Sequence, residues 1–469
     1  MANSKTQPAQ SSEEKLNFKK ILPIFLVVLI DLLGLTIIIP LLPLYAATFG
    51  ADPTTIGLLS AAYPLMQFVG APVLGRLSDR FGRKPVLIVS QIGTLIGFLM
   101  LGFANSLLVL FLSRLIDGLS GANISTAQAI IADSTTEKTR TQGLGLLGAA
   151  FGLGFIIGPL IAFVSLAVSG NNFHVPAFAA ALCSAISIGL SAFLLEETHK
   201  TPNREAASES AFSLKSFTKT LSYPGMALLL ALAFAQQIAF GGFEQLLALF
   251  TLNRLGLNAS GNAVIFVFVG VVVVMVQGYY IGKWSRRFGD RKMVFLGLAT
   301  LAVGLMLIAF TPSQPPPWYD KAEITKELTT QTLGTVTSTH ALAITLPDDV
   351  NKGLAGIGWL LVVMVPAGIG GGVLQPSINS MITKKVSANE RGGILGISAA
   401  LISAANVFAP LMGGVLFQAN SGLPFIIWGG LMGLLLAIAW VFLKPDISQN
   451  IVSNNAGVTL QANPESDGA

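Results

Sequence analysis

The stretch GRLSDRFGRKP at residues 75–85 has a counterpart, GKWSRRFGDRKM, at residues 282–293. Phe81 and Gly82 of the first stretch correspond to Phe288 and Gly289 of the second, 207 residues further along the chain. Each stretch is basic and lies between apolar runs of about 20 residues, the length that crosses the core of a bilayer. A basic loop repeated between such runs predicts a membrane protein with two related halves.

A second set of matches extends this repeat within each half. Its members are Arg140, Leu144, Gly145 and Pro159, which match Arg391, Leu395, Gly396 and Pro410 at an offset of 251 residues. The second offset is 44 residues larger than the first, so the second half contains an insertion. The polar, proline-containing stretch from Thr311 to Gly353 accounts for it, and we expect this stretch to form a long outer loop.

The composition excludes several classes of protein. Hydrophobic residues make up 52% of the 469 residues and charged residues only 11%, against the roughly 25% charged that is usual for a soluble domain. The single cysteine excludes a disulfide framework, and the three histidines are too scattered for a metal site. The net charge of +5 lies in short loops, so it indicates membrane orientation rather than nucleic-acid binding.

Twelve apolar stretches are long enough to span a bilayer. They lie near residues 21–44, 55–75, 85–104, 107–131, 143–168, 174–195, 224–251, 262–282, 293–311, 354–377, 393–417 and 423–443. Of the 28 Lys and Arg residues, 23 fall at the termini or in the even-numbered loops, four on the other side and one, Arg114, inside a span. Basic residues stay in the cytoplasm, so both termini are predicted to be cytoplasmic.

The same pattern predicts the domain organisation. A cytoplasmic segment (1–20) precedes an N-terminal six-helix half (21–199), and a cytoplasmic linker (200–222) too polar to span a membrane follows. The C-terminal six-helix half (223–445) contains the outer loop 312–353, and residues 446–469 are predicted to be a disordered cytoplasmic tail. Two parallel repeats imply a pseudo-twofold axis along the membrane normal and a central cavity.

Four motifs in order resemble those of the major facilitator superfamily, and within it the drug:proton antiporters of the tetracycline-resistance type. Span 1 has Asp31, Gly34, Pro40 and Pro43; the loop between spans 2 and 3 has Gly75, Asp79, Arg80, Gly82, Arg83 and Lys84; span 4 has Arg114, Asp117, Gly118 and Gly121; span 5 has Gly148, Gly152, Gly154, Gly158 and Pro159. The resemblance implies an all-α membrane fold of twelve helices in two pseudo-twofold-related halves.

Three departures from the family pattern accompany the resemblance. Leu160, Ile161 and Ala162 stand where the antiporter motif usually continues to a glycine pair. Arg286 replaces the first aspartate in the second copy of the basic loop, and the outer loop is longer than usual. These departures leave the predicted fold unchanged, but the first of them weakens the antiporter pattern.

The resemblance also implies a conformational lock on the cytoplasmic side. The motif supplies Gly75, Asp79, Arg80, Gly82, Arg83 and Lys84 to it, and Asp133 at the end of span 4 adds a second carboxylate. Such a lock holds the halves together in the outward-open state and breaks in the inward-open state. The alternative is that these charges only set the topology.

Ionisable residues inside the membrane are costly, so we expect them to face the protein interior and to have a role. Asp31, Arg114, Asp117 and Glu244 are therefore predicted to take part in proton coupling. Each has an alternative: Asp31 can be a structural acid, Arg114 can bind backbone carbonyls, Asp117 can pair with Arg114 three residues away, and Glu244 can meet water near the outer end of span 7.

Polar residues within the spans are candidates for substrate contacts, because a few polar groups orient a ligand in an apolar cavity. They are Gln67, Asn123, Gln236, Gln237, Glu244, Gln375 and Asn379. Some of them can instead join helices by hydrogen bonds. Gly154, Gly158 and Pro159 are predicted to serve helix packing or gating in span 5.

The predicted function is secondary active transport: proton-coupled efflux of small amphipathic compounds or drugs by alternating access, in a bacterial inner (plasma) membrane. The chain has no phosphate-binding glycine-lysine motif, so the proton gradient is the expected energy source and no cofactor or metal is expected. Uptake of a metabolite and a non-transporting receptor or scaffold are the alternatives, and an enzyme is not expected. The expected partners are the small-molecule substrate, protons and lipid, with no nucleic acid, and the protein is predicted to be monomeric.

Overall fold

The computed structural model describes residues 18–121, 124–135, 139–198, 218, 220–333, 336–339, 342–386 and 391–443. Inside the described helices and strands, some side chains are also left out of the description, among them those of residues 140–145 and 330–333. Asn123, one of the predicted substrate contacts, therefore lies outside the described residues.

The first half is built from helices alone in its described part. They are α1 (Phe18–Ile38), α2 (Leu42–Ala47), α3 (Pro53–Phe81), α4 (Arg83–Gly102), α5 (Leu107–Ser120), α6 (Ile124–Ser134), α7 (Arg140–Ser169) and α8 (His174–Leu194). The predicted first span, 21–44, is thus too long for one helix. Helix α1 ends at Ile38, two residues before Pro40, because proline disfavours the helical conformation in the residue before it.

The second half repeats this plan with additions. Its elements are α9 (Met226–Leu255), α10 (Ala259–Met275), a π-helical turn (Val276–Tyr280), α11 (Ile281–Phe288), α12 (Asp290–Ala309), α13 (Lys321–Thr329), β1 (Thr330–Leu333), β2 (Val336–Thr339), a 3-10 turn (Asp349–Asn351), α14 (Ala355–Lys384), α15 (Arg391–Ala419) and α16 (Leu423–Phe442). Strands β1 and β2 pair antiparallel, with Thr330 opposite Thr339.

Eleven helical stretches in the described part of the chain are long and apolar enough to cross a membrane. The remaining predicted span, 107–131, falls on the two shorter helices α5 and α6. The predicted all-α fold class is confirmed, and the hairpin β1–β2 in the outer loop is an addition that the sequence pattern did not predict.

The two copies of the basic loop have the same backbone conformation. Gly82 joins α3 to α4 with φ of 100° and ψ of 152°, and Gly289 joins α11 to α12 with φ of 80° and ψ of 154°. Positive φ values of this kind are open mainly to glycine. The repeat seen in the sequence is therefore also a repeat in structure.

The halves approach each other most closely at one end of the molecule, where α3 begins and α15 ends. A Cβ atom on Gly57 would lie 2.3 Å from the Pro410 carbonyl oxygen, and one on Gly414 would lie 2.5 Å from that of Pro53. A second close approach joins α7 to α10, where a Cβ on Gly270 would lie 2.5 Å from the Phe155 carbonyl oxygen. The crossing of α3 with α15 closes this end of the space between the halves, whereas the crossing of α7 with α10 lies near the middle of both helices.

The opposite ends of the same helices are open. For Gly75 on α3 and Gly396 on α15, no described atom outside the neighbouring turn of the helix lies within 4 Å of the Cβ position. The same is true of Gly278 between α10 and α11. The space between the halves is therefore closed at one end and accessible from the other.

Candidate functional site

A cavity of about 490 Å³ lies between the two halves. Helices α1, α3, α5 and α7 contribute its walls on one side, and α9, α14 and α15 contribute them on the other, with residues from the π-helical turn. Its polar and charged lining residues are Ser60, Tyr63, Gln67, Arg114, Gln236, Gln237, Glu244, Gln245, Gln277, Gln375 and Asn406. The remaining lining is mostly aliphatic or phenylalanine, so the cavity suits an amphipathic molecule.

Glu244 on α9 is the carboxylate among these lining residues. It also borders a smaller side pocket of about 110 Å³, whose walls include Phe151, Phe155, Phe240 and Phe243. A carboxylate surrounded by phenylalanine rings offers a charged acceptor within a largely apolar space. Glu244 is half-buried and lies on the cavity wall.

Arg114 on α5 faces the cavity from the first half, and its charge is balanced inside the protein. Its Nη1 atom lies 3.1 Å from Oδ2 of Asp117, and the guanidinium lies 5.6 Å from the centre of the Phe98 ring. Both side chains of the pair are 2% exposed. Asp117 is not among the cavity-lining residues, which fits the predicted alternative of a partner for Arg114.

Asp31 is not among the residues that line the central cavity. It borders a separate space of about 10 Å³ between α1, α4 and α6, together with Gln91 and apolar residues such as Val28 and Leu87. This volume is about that of one water molecule. The structure therefore separates Asp31 from Glu244, with one acid inside the first half and the other on the cavity wall.

The predicted amide residues divide between the cavity wall and helix contacts. Gln67 lines the cavity and donates from Nε2 to the Gly121 carbonyl at 3.1 Å. Gln237 donates to Oδ1 of Asn406 at 2.8 Å, which joins α9 to α15. Gln236 and Gln375 also line the cavity.

Asn379 is not a lining residue; its Oδ1 accepts from Nε2 of Gln375 at 3.3 Å, one helical turn away. It thus supports a wall residue instead of forming the wall. Among the described residues, no three His, Cys, Asp or Glu side chains are grouped so that they could hold a metal ion.

Besides Ser60, four uncharged polar lining residues, Tyr63, Gln245, Gln277 and Asn406, were not among the predicted substrate contacts. Tyr63 packs against α5, where a Cβ on Gly118 would lie 2.3 Å from its carbonyl oxygen, and its hydroxyl accepts from Gln67 at 3.3 Å. Only Tyr63 lacks an obvious sequence signal, because a tyrosine in a span is more often an interface anchor. The other three carry an amide within an apolar run, the signal that identified the predicted residues.

The charged residues of the loop between α3 and α4 form a network within the first half. Arg83 lies 2.6 Å from Asp79 through Nη1 and 3.3 Å from Asp133 through Nε. Its Nη1 also donates to Oγ of Ser78 at 2.7 Å. The described partners of Arg83 thus join α3, α4 and the end of α6, and all of them belong to one half.

Glu197 organises the turn at Gly82, although the sequence did not identify it as a member of the lock. Its carboxylate accepts from the backbone N–H of Arg83 at 3.0 Å and from that of Lys84 at 3.1 Å. An acid at the N-terminus of a helix satisfies otherwise unpaired N–H groups. Lys84 donates to the Ala192 carbonyl at 2.8 Å, and Arg80 lies 5.2 Å from the Phe81 ring centre.

The second half has the same network with the charges inverted. At the offset of 207 residues, Asp290 stands where the first half has Arg83, and at the offset of 251, Lys384 stands where it has Asp133. Lys384 Nζ lies 2.6 Å from Oδ2 of Asp290, which is buried and also accepts from Ser285 and Ser380. Arg286 likewise stands at the position of Asp79, so three positions exchange charge between the halves, whereas Arg287 and Arg291 keep the positive charge of their counterparts.

The span 5 residues lie on α7, which packs against α1. A Cβ on Gly158 would lie 2.1 Å from Oγ1 of Thr36, whereas one on Gly154 would make ordinary contacts at 3.6 Å. Pro159 lies inside the helix, next to this crossing. Gly158 thus permits a close approach between two helices of the same half.

Comparison with known proteins gives consistent results. The family model of the Major Facilitator Superfamily matches residues 24–320 and 330–461. The chain is 28% identical to the tetracycline resistance protein, class B, of Escherichia coli, over 86% of this chain and 89% of that protein. It is 27% identical to multidrug resistance protein 2 of Bacillus subtilis, over 89% of this chain and 94% of that protein.

A solved structure supports the fold. The human organic anion transporter MFSD10 (TETRAN) superposes with a TM-score of 0.62 over 91% of this chain and all of that chain, at 22% identity. With the family model covering most of the sequence, the resemblance drawn from the four motifs is confirmed, as is the interpretation of the chain as a transporter in a lipid environment and not an enzyme. The chain belongs to the Major Facilitator Superfamily.

Proposed function

We propose that this protein exports small amphipathic compounds, including drugs, across a bacterial inner membrane in exchange for protons. The observation that carries the proposal is a central cavity between two repeated halves, which combines phenylalanine and amide walls with one half-buried carboxylate, Glu244. The protein's relatives include tetracycline and multidrug resistance proteins, which supports efflux over uptake. No nucleotide, metal or other cofactor takes part, because the proton gradient drives the exchange.

The proposed orientation follows from the distribution of Lys and Arg. With both termini in the cytoplasm, α3 begins and α15 ends on the outer side, so the close crossing of Gly57 and Gly414 closes the outer side. The cavity is then open to the cytoplasm, which is the state that loads an export substrate. The chain works as a monomer, since each half supplies the other with a cavity wall.

Proton coupling is assigned to the four ionisable residues of the spans. Glu244 meets the substrate in the cavity, so binding of a proton there and binding of a substrate compete. Asp31 takes a proton inside the first half, while Asp117 holds the Arg114 guanidinium in place at the cavity wall. Protonation from the outer side releases the substrate, and the change in charge favours the return to the state open to the cytoplasm.

The charged network of the loop between α3 and α4 acts as the cytoplasmic lock in the state that is closed to the cytoplasm. Asp79, Arg83 and Asp133 stay paired within the first half in the state described above, which leaves Asp79 44% exposed. An exposed carboxylate beside a helix end is ready to meet the positively polarised N-terminus of a helix from the other half. When the cytoplasmic side closes, α15 is the helix whose N-terminus comes near, because it is the partner of α3 across the halves.

Transport in proteoliposomes tests this function. With tetracycline and ethidium as probes, an imposed pH gradient should drive transport by the wild type, and collapse of the gradient should abolish it. Glu244→Gln and Asp31→Asn should each remove the response to the gradient. A protein that moves its substrate equally well without a gradient, or whose two variants keep full coupling, contradicts proton exchange.

A further inference from the structure

The membrane helix formed by α10 and α11 contains a π-helical turn at Val276–Tyr280. The N–H of Ile281 donates to the carbonyl of Val276, five residues back instead of four. Such turns are rare and occur frequently at functional sites, because they add one residue to an otherwise regular helix. Gln277 is the second residue of this turn.

The extra residue changes which side chains share a face of the helix. Val276 and Ile281 lie in one small apolar cluster with Trp284, packed against Met293 of α12 and Val373 of α14. In a regular α-helix, residues five positions apart point about 140° away from each other. The π-helical turn therefore lets Val276 and Ile281 pack on the same side.

This packing leaves Gln277 free to face the cavity. In a regular α-helix, Gln277 would share a face with Ile281, four residues later, and would point toward the apolar cluster. Instead, Gln277 continues the line of Phe266, Gly270 and Val273, all of which border the aromatic side pocket. The turn thus reconciles a packed helix with a polar side chain on the cavity wall.

The surroundings of Gln277 define what it can bind. Gln277 and Glu244 both line the central cavity and also the side pocket, and three phenylalanines, Phe151, Phe155 and Phe240, do the same. An amide both donates and accepts hydrogen bonds, whereas the carboxylate only accepts. Flat rings fit between the phenylalanine side chains.

We propose that Gln277 is a substrate-contacting residue, held beside Glu244 by the π-helical turn, and that it selects flat aromatic compounds bearing a hydrogen-bonding edge. This inference rests on the proposed function and names the substrate class of the same site. Compounds with an amide or enol edge, such as tetracycline, make the contact with Gln277. Aromatic compounds without such an edge bind through the phenylalanines alone.

Gln277→Leu tests the contact, with Met275→Leu as the matched control. Met275 lies two residues earlier, is 52% exposed and is not a lining residue of the cavity. Loss of one hydrogen bond should raise the tetracycline Kd and KM about 10-fold in Gln277→Leu with little change in kcat. N-Methylacridinium, a flat aromatic cation without a hydrogen-bonding group, should change less, and Met275→Leu should match the wild type for both probes.

Cysteine labelling gives a second measurement. The chain has one cysteine, so Cys183→Ser provides a cysteine-free background. In that background, Gln277→Cys should react with a water-soluble maleimide, and tetracycline should protect it, whereas Met275→Cys should show no protection. An unreactive Gln277→Cys, or reactivity that tetracycline does not change, overturns the proposal.

Direct binding measurements distinguish a failure of the proton-exchange proposal from a failure of the inference about Gln277. If the wild type binds tetracycline but a pH gradient does not drive its transport, proton exchange fails, while the contact with Gln277 is still decided by the Kd. If transport is driven by the gradient but Gln277→Leu keeps the wild-type Kd, KM and probe preference, the inference about Gln277 fails alone. A wild type that binds neither probe overturns both.

Discussion

The residue pair Arg114–Asp117 is a fully buried ion pair within the first half. Both charges are nearly inaccessible, so each depends on the other for compensation. Ion pairs of this kind add little net stability, but removal of one partner leaves an uncompensated buried charge. The pair is thus a structural requirement for holding the Arg114 guanidinium at the cavity wall.

Asp117→Asn should therefore destabilise the protein by about 3–5 kcal/mol, because Arg114 loses its partner. The measurement is thermal unfolding of the detergent-solubilised protein, followed by loss of the monodisperse peak. Glu244→Gln is the control, since Glu244 faces the cavity and neutralising it should leave the midpoint unchanged. If Asp117→Asn unfolds at the wild-type midpoint, Arg114 does not need Asp117 to compensate its buried charge.

Gly82 and Gly75 make a second residue-scale comparison, since both belong to the loop motif but differ in their surroundings. Gly82 has φ of 100°, and a Cβ there would lie 2.6 Å from Oε2 of Glu197. Gly82→Ala should cost about 1–3 kcal/mol and reduce the amount of folded protein. Gly75→Ala, whose Cβ would meet open space on α3, should not lower stability in the same assay. Equal losses of stability in the two variants would contradict a special backbone requirement at Gly82.

At the scale of elements, the sequence predicted most spans because each needs only a long apolar run. The exceptions have local physical causes. Pro40 ends α1 early, the packing of Ile281 and Trp284 demands the π-helical turn, and hairpin β1–β2 lies in a polar loop without alternation strong enough to identify it. Contacts between distant segments, such as that of Glu197 with the turn at Gly82, could not be predicted, because no local sequence pattern encodes them.

The site was predictable to a similar extent. Amides and acids within apolar runs identified much of the cavity wall, including Gln236, Gln237 and Glu244. The sequence could not tell which face of a helix meets the cavity, so Asn379 and Asp117 were grouped with residues that line it. Helix faces depend on packing, and packing is a property of both halves together.

Helix α13, in the predicted outer loop, connects the two halves through one half-buried acid, Glu327. Nδ2 of Asn171, between α7 and α8, donates to Oε2 of Glu327 at 3.3 Å, and Asn258, which precedes α10, also hydrogen-bonds the carboxylate. Burial, reinforced by Glu323 on the same helix, raises the pKa of Glu327 to about 7, while the two asparagines lower it. The neutral acid thus fits the docked loop better than the charged one.

The docking of α13 should consequently depend on pH. The pKa of Glu327 is higher in the docked loop than its ordinary value of 4.5, so the stabilisation is complete below pH 4.5 and is lost as the pH rises through about 7. The full change corresponds to about 3 kcal/mol. Hydrogen exchange in α13, corrected for the intrinsic rate, should show protection falling from pH 5 to pH 8, and Glu327→Gln should remove this dependence. A dependence that persists in Glu327→Gln assigns it to another group.

For the whole molecule, the decisive feature is the asymmetry between a closed end and an open end. The closed end depends on two glycines, Gly57 and Gly414, whose backbones touch across the halves. The loop networks at the open end have opposite charge patterns in the two halves, with Arg83 between carboxylates in one and Asp290 beside Lys384 in the other. Alternating access requires that the first set of contacts separates when the second end closes.

A side chain at Gly57 should shift this balance. In Gly57→Ala, the added Cβ would lie 2.3 Å from the Pro410 carbonyl oxygen, a backbone atom that cannot move alone, so the closed end is destabilised and the alternative state gains population. Spin labels on the outer ends of α3 and α15 should report longer distances than in the parent protein, and transport should fall because the cycle is held in one state. Gly430→Ala, where the Cβ meets open space on α16, serves as the control and should keep both the distances and the transport rate. If Gly57→Ala gives the distances of the parent protein and full transport, the crossing of Gly57 and Gly414 is not the outer closure of this transporter.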